Sequence, residues 1–344
     1  MKLMEAFRRL ALALVILAVP TPSDAQQTAQ VYRIGSLAGA VGPPLSDRTP
    51  QGCPAQGKGS RFWQALLDGL RERGYVQGQN LVIECRYTEG QEERAPALAA
   101  ELVSLKVDLL LAFSTSSVRA AKQATSTIPI VMYGVIDPAG RGLVASLARP
   151  GGNVTGLTDD AGTEIAGKYL QLIKEAVPQV SRVAVLGYAL DPPETIFQPA
   201  LDAAARALNV TLLVHELREP EKLEGAFAAM NKERAEALFV VQSPFMWTHK
   251  QRIVDLAAQG RLPAVYPERD FVEAGGLLSY GVDLLAVRRR VGLYVDRILK
   301  GARPADLPVE RPTKFVFIVN LKTAKVLGVT IPQSLLLRAD EVIQ

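Results

Sequence analysis

Hydroxyl side chains stand in a row at Ser114, Thr115 and Ser116, between an apolar run at 107–113 and an alanine-rich stretch. Hydroxyls placed between a buried strand and a helix lie beside the free N–H groups of the helix's first turn, a setting that suits a carboxylate or another anion. Any one of them serves equally well as an N-cap; three together favour a binding site. Ser243 repeats the arrangement more weakly. A second apolar run, 129–136, ends in Asp137-Pro138. The Asp137 carboxylate suits a ligand ammonium, or it sets an Asp-Pro turn. Ser36 lies at the end of the first apolar run. Tyr188 and Tyr266 end later runs and offer faces for stacking or for packing. Glu268 begins a polar rim with Arg269 and Asp270, and Tyr280 precedes Gly281.

Catalytic patterns are absent. No G-x-G-x-x-G follows the first run, and neither G-x-x-x-x-G-K-[ST] nor G-x-S-x-G occurs. The two histidines, His215 and His249, fall in a strand pattern and a helix pattern and form no triad arrangement. A His/Cys metal site is not expected, no cofactor is implied, and the balance favours binding over chemistry.

The elements that must position these residues alternate. Strand patterns begin near 31, 80, 107 and 129, and again near 182, 210, 237 and 262. Helical spacing of apolar residues separates them. This is one βαβα series written twice. It predicts an α/β protein of two doubly wound, parallel-sheet lobes. In such sheets ligands bind outside the carboxyl ends of the strands, where the residues above are found. The Gly-rich passage 150–156 hands one lobe to the other, and crossings near 155, 275 and 310 would make a three-segment hinge. The expected lobes are 31–155 with 276–308, and 156–275 with 309–344.

A chain of 344 residues, 48% hydrophobic and 22% charged, is long enough for two domains with full cores. The 39 basic against 35 acidic residues leave only a small positive excess, without the basic-aromatic interleaving of a nucleic-acid surface. Lys2, Arg8 and Arg9 precede an apolar core at 10–19, and Ser23-Asp24-Ala25 fits signal cleavage. Residues 1–25 therefore read as a signal peptide and the compartment as the periplasm. In an oxidising compartment Cys53 and Cys85 can bridge, tying the loop after the first strand to the second strand.

Several stretches resemble a bacterial family of ABC-transporter substrate-binding proteins whose better-understood members are associated with tryptophan and tyrosine uptake. They are Gly-Tyr-Val-Gln-Gly-Gln-Asn-Leu-Val-Ile-Glu at 74–84, Ala-Lys-Gln-Ala-Thr-Ser-Thr-Ile-Pro-Ile-Val at 121–131, and Gly-Leu-Val-Ala-Ser-Leu-Ala-Arg-Pro-Gly-Gly-Asn-Val-Thr-Gly at 142–156. Phe-Val-Glu-Ala-Gly-Gly-Leu-Leu-Ser-Tyr-Gly at 271–281 and the segment 320–332 add C-terminal matches. The resemblance implies a type I periplasmic binding-protein fold, an amino-acid-like or carboxylate-bearing ligand between the lobes, and an ABC permease as partner of a monomer. It implies that 114–116, Asp137 and the segments around Tyr188, Ser243 and Glu268 face the cleft. A periplasmic sensor presenting its ligand to a membrane receptor, or an exported enzyme using the same cleft, are the alternatives.

Overall fold

A computed structural model describes residues 30–39, 42–159, 161–162, 164–188, 194–219 and 222–344, with backbone only at 164, 194–197 and 244. The expected signal peptide lies outside the described residues. Among the described residues no helix is long and apolar enough to cross a membrane.

The first sheet contains β1 (Tyr32–Ala38), β2 (Leu81–Tyr87), β3 (Leu109–Phe113), β4 (Ile130–Tyr133) and β5 (Val154–Gly156). They run parallel in the order β2-β1-β3-β4-β5. Strands covered on both faces have no solvent side to mark with polar residues, which is why β3 reads as an unbroken Leu-Leu-Leu-Ala-Phe. Helices α1 (Arg61–Arg71), α2 (Ala95–Ser104) and α3 (Thr115–Ala124) make the crossovers. Ser60 caps α1 by accepting the Trp63 N–H. A disulfide joins Cys53 to Cys85 and pins the long loop after β1 to β2.

The second sheet is built from β6 (Arg182–Tyr188), β7 (Thr211–Leu217), β8 (Ala237–Val240), β9 (Ala264–Tyr266), β10 (Leu278–Val282), β11 (Phe315–Asn320) and β12 (Glu341–Ile343). Its order is β12-β11-β10-β9-β8-β6-β7. Read from β7, the first five strands repeat the 2-1-3-4-5 order of the first sheet. β10 is thus the counterpart of β5 and belongs to the second sheet. The boundary expected at 276 is corrected accordingly: the chain returns to the first lobe after β10. The reason is register, since β10 pairs in parallel with β9 and antiparallel with β11. The helices of this lobe are α4 (Glu164–Ala176), α5 (Glu194–Leu208), α6 (Leu223–Lys232), α7 (Pro244–Thr248), α8 (Lys250–Gln259) and α9 (Arg269–Glu273). The helical stretch after β8 is divided between α7 and α8 at His249.

After β10, α10 (Leu284–Leu299) leaves the second sheet and lies on α1, its Val287, Val291 and Tyr294 filling the core beneath β1 and β3. Two glycines allow this approach. A Cβ on Gly69 would fall 2.0 Å from the Arg289 carbonyl oxygen, and one on Gly292 would fall 2.3 Å from that of Gly69. The chain then returns to β11, α11 (Leu321–Leu327), α12 (Gln333–Leu336) and β12. The crossing segments touch one another. Thr158 N–H donates to the Glu310 carbonyl, Glu310 N–H to Gly156, and Asp283 N–H to Lys314.

Candidate functional site

The site forms where the carboxyl ends of the two sheets meet. On the first lobe, Ser114 takes a backbone conformation with φ +122° at the end of β3 and caps α3, its Oγ accepting the Ser117 N–H. The same Oγ lies 3.0 Å from Ser116 Oγ and 3.0 Å from Ser117 Oγ. Ser114, Ser116 and Ser117 are therefore one connected hydroxyl cluster, and Ser117 is fully buried. Thr115 is half-buried beside it.

Asp137 sits in a turn, the second of the two roles its Asp-Pro sequence allows. Its Oδ1 accepts the Gly140 N–H at 2.9 Å, and its backbone sits at φ +49°. The carboxylate closes its own turn, as Asp before Pro readily does. Across Gly134 from Ser114 lies another acid, Asp159, on the first crossing. Gly134 separates the two: a Cβ there would lie 3.8 Å from Ser114 N and 3.9 Å from Asp159 Oδ2, with nothing else within 4 Å. Asp159 Oδ1 is buried without a hydrogen-bond partner among the described residues. Burial raises the Asp159 carboxyl to about 6, against the opposing pull of the nearby Arg288 guanidinium.

Arg288, on α10, lies over three rings of the same wall. Its guanidinium carbon is 3.9 Å from the centroid of Tyr133, 4.6 Å from Phe113 and 5.9 Å from Phe62. Tyr133 and Phe113 are themselves in edge contact.

The second lobe contributes Glu268, at the N-terminus of α9. Gln242 Nε2 donates to its Oε1 at 3.3 Å. Burial, then the negative charges of Asp270 and Asp159, push its carboxyl up to about 8. Asp159 lies on the first crossing, so its charge acts on Glu268 where the two lobes meet. Arg61 of α1 spans the gap, pairing with Asp270 and with Glu273 at 2.9 Å. Trp247 Nε1 donates to Asp270 at 3.1 Å. Beneath this bridge is a cavity of ≈190 Å³, bounded by Arg61, Phe62, Glu268, Ser279 and Asp283. Ser279 Oγ is buried without a partner among the described residues.

The remaining sequence candidates divide. Tyr188 stacks on Phe245 at 4.2 Å, on the second-lobe side. Ser243 is a buried cap on α7, accepting the Met246 N–H. Tyr266 is a core ring, stacked on Phe271 and fully enclosed. Tyr280 packs among Tyr169, Phe315 and Phe317. Ser36 is buried in β1 on the Ile34 face, under α1 and α10. Of the expected set, the structure thus brings together Ser114, Thr115, Ser116 and Glu268. It adds Asp159, Arg288, Phe62, Phe113 and Tyr133, which sequence reasoning did not single out. Among the described residues no cluster of three His, Cys, Asp or Glu side chains is suited to a metal ion.

The family model described as ABC transporter substrate binding protein matches residues 60–343. A "Tyrosine-binding protein" of Clostridioides difficile is 27% identical over 264 residues, covering 77% of this chain and 75% of that protein. A solved ABC domain in complex with L-Trp, from Streptococcus pneumonia, superposes with a TM-score of 0.78 at 27% identity, covering 91% of this chain and 100% of that one. A conserved domain protein from Vibrio cholerae gives the same TM-score, identity and coverage. Leucine-binding and sugar-binding proteins share the fold at lower identity. The two-lobed architecture is that of type I periplasmic binding proteins, and the chain belongs to the ABC transporter substrate-binding protein family.

Proposed function

We propose that the protein is the exported solute-binding component of an ABC importer and captures a free α-amino acid between its lobes. One observation carries this reading. Gly134 leaves a gap with Ser114, the cap of α3, on one side and Asp159 Oδ2 on the other, and the second oxygen of that carboxylate, Oδ1, is buried without a partner among the described residues. An α-amino acid presents a carboxylate and an ammonium from the same carbon. The carboxylate suits the N-terminus of α3 and the hydroxyls of Ser114, Thr115 and Ser116. The ammonium suits Asp159, where it would satisfy the orphaned oxygen and lower the carboxyl's affinity for its proton.

Glu268 reaches the ligand from the opposite lobe, so that ligand contacts both halves only when they are together. A ligand that binds the closed arrangement better shifts the population towards it. The closed form is the state that a permease of the inner membrane would recognise, from a monomer in the periplasm. The site performs no chemistry in this reading, and the acids serve as ligand contacts.

Thermal melting of the protein with each of the twenty amino acids tests it, because a ligand that binds only the folded state raises the melting temperature. At least one amino acid should stabilise the protein. Asp159→Asn should weaken that ligand roughly 30-fold or more, the order expected for removing a charged hydrogen-bond partner. Asp137→Asn should leave binding unchanged. Retained affinity in Asp159→Asn would sink the proposal.

A further inference from the structure

Three consecutive arginines, Arg288, Arg289 and Arg290, stand in the first half of α10, and they are partnered differently. Arg289 pairs with Asp68 and Glu72, and Arg290 pairs with Glu310 at 2.6 Å. Arg288 has no ion pair among the described residues, although it is half-buried, and its Nε is enclosed without an acceptor. Its neighbours on the helix explain its direction. Val287 and Val291 are locked in the core, which swings Arg288 towards the cleft wall.

A guanidinium stacked on aromatic rings has its π faces covered and its N–H donors left around the rim, in plane. The Arg288 guanidinium lies over Tyr133 and Phe113, whose planes are 73° apart so that it can lie flat on only one of them, and more distantly over Phe62. Two consequences follow. The ring faces on which an aromatic ligand would stack are occupied by the protein's own side chain. Tyr133 takes one guanidinium hydrogen bond and the charge of Asp159 acts on the group from nearby, but the enclosed Nε keeps no acceptor, a costly state that a further anionic group at the fork would relieve.

Resting on the amino-acid reading above, we infer that Arg288 is the specificity-determining residue of the site: it excludes aromatic side chains and selects an amino acid with a side-chain carboxylate. The ligand's α-carbon groups lie over Gly134 and its side chain runs along the ring wall to the Arg288 fork. Glu268 does not oppose this. Burial keeps its carboxyl protonated at neutral pH, so it donates a hydrogen bond to the same side-chain group.

The test is calorimetric titration of the protein and of Arg288→Ala with L-glutamate, L-aspartate, L-glutamine, L-tryptophan and L-tyrosine. In the parent, an acidic amino acid should bind at least roughly tenfold more tightly than glutamine, its neutral counterpart, and than either aromatic. Arg288→Ala should lose the acidic ligand by a similar factor and gain affinity for tryptophan, which can now reach the rings. Tryptophan or tyrosine binding the parent more tightly than glutamate, or glutamate and glutamine binding equally, would overturn the inference and leave the amino-acid reading standing. If none of the twenty amino acids binds, the amino-acid reading itself fails, and the inference with it. Should Arg288→Ala not fold, the order of affinities in the parent alone decides.

Discussion

Glu268 shows what the closed cleft does to a single side chain. Its carboxyl is pushed up to about 8 in the folded protein from 4.5 when free. Between those values the unfolded chain has released the proton and the folded chain still holds it. The unfolded state therefore binds fewer protons, and stability falls as pH rises from about 4.5 to about 8. Glu268→Gln keeps the shape of the protonated form and removes the titration. Its melting temperature should match the parent near pH 5 and exceed it near pH 8. An equal gap at both pH values would show that Glu268 does not titrate in this window. The same residue scale shows why one acid was legible in the sequence and the other was not. Asp137 ends a strand and precedes Pro138, so it carries a local signal. Yet that signal belongs to the turn, where Gly140 N–H holds the carboxylate. Asp159 follows a Gly-rich passage with no strand pattern of its own. It becomes a site residue only because β5 brings the crossing alongside β4. Arg288 was hidden for a similar reason, being one of three equivalent arginines until the packing of α10 distinguishes it.

At the scale of elements, α1 and α10 form one unit. Gly69 and Gly292 bring the two backbones into contact, and any Cβ at either position must push the helices apart. Gly69→Ala or Gly292→Ala should destabilise the protein by about 1–3 kcal/mol, as overpacking does. Each should also weaken ligand binding, since α1 carries Phe62 and α10 carries Arg288. Unchanged binding in a folded variant would show that the helix spacing does not set the site. The disulfide acts on the loop before α1. Cys53 and Cys85 are 32 residues apart in sequence. Replacing both with Ala should cost about 3–4 kcal/mol, measured by denaturant unfolding. The alternation of strands and helices was readable from periodicity because fully covered strands are continuously apolar. Two pieces escaped. β5 has only three residues, Val154–Gly156, too few to show a period. β10 was assigned to the wrong lobe because strand patterns do not name their partners. Its place follows from the repeated 2-1-3-4-5 order, which is visible only once the sheet is assembled.

At the scale of the molecule, Arg61 joins the lobes through Asp270 and Glu273. Ion pairs that are partly exposed are weak alone, so this bridge should bias the closed state and not lock it. Arg61→Ala should enlarge the radius of gyration of the ligand-free protein in small-angle scattering. Saturating ligand should restore the compact value. A ligand-free Arg61→Ala protein as compact as the parent would assign closure to other contacts.

The three crossing segments run beside one another, joined by backbone hydrogen bonds between 156–158 and 310 and between 283 and 314. Parallel tethers of this kind resist twist and extension and yield to bending. In the proposed closure, the motion of the two lobes would thereby be reduced to a single angle. A membrane partner would then need no contact with the ligand at all. It would read occupancy as the value of that one coordinate, so the chemistry of recognition inside the cleft and the shape presented outside can change independently through evolution.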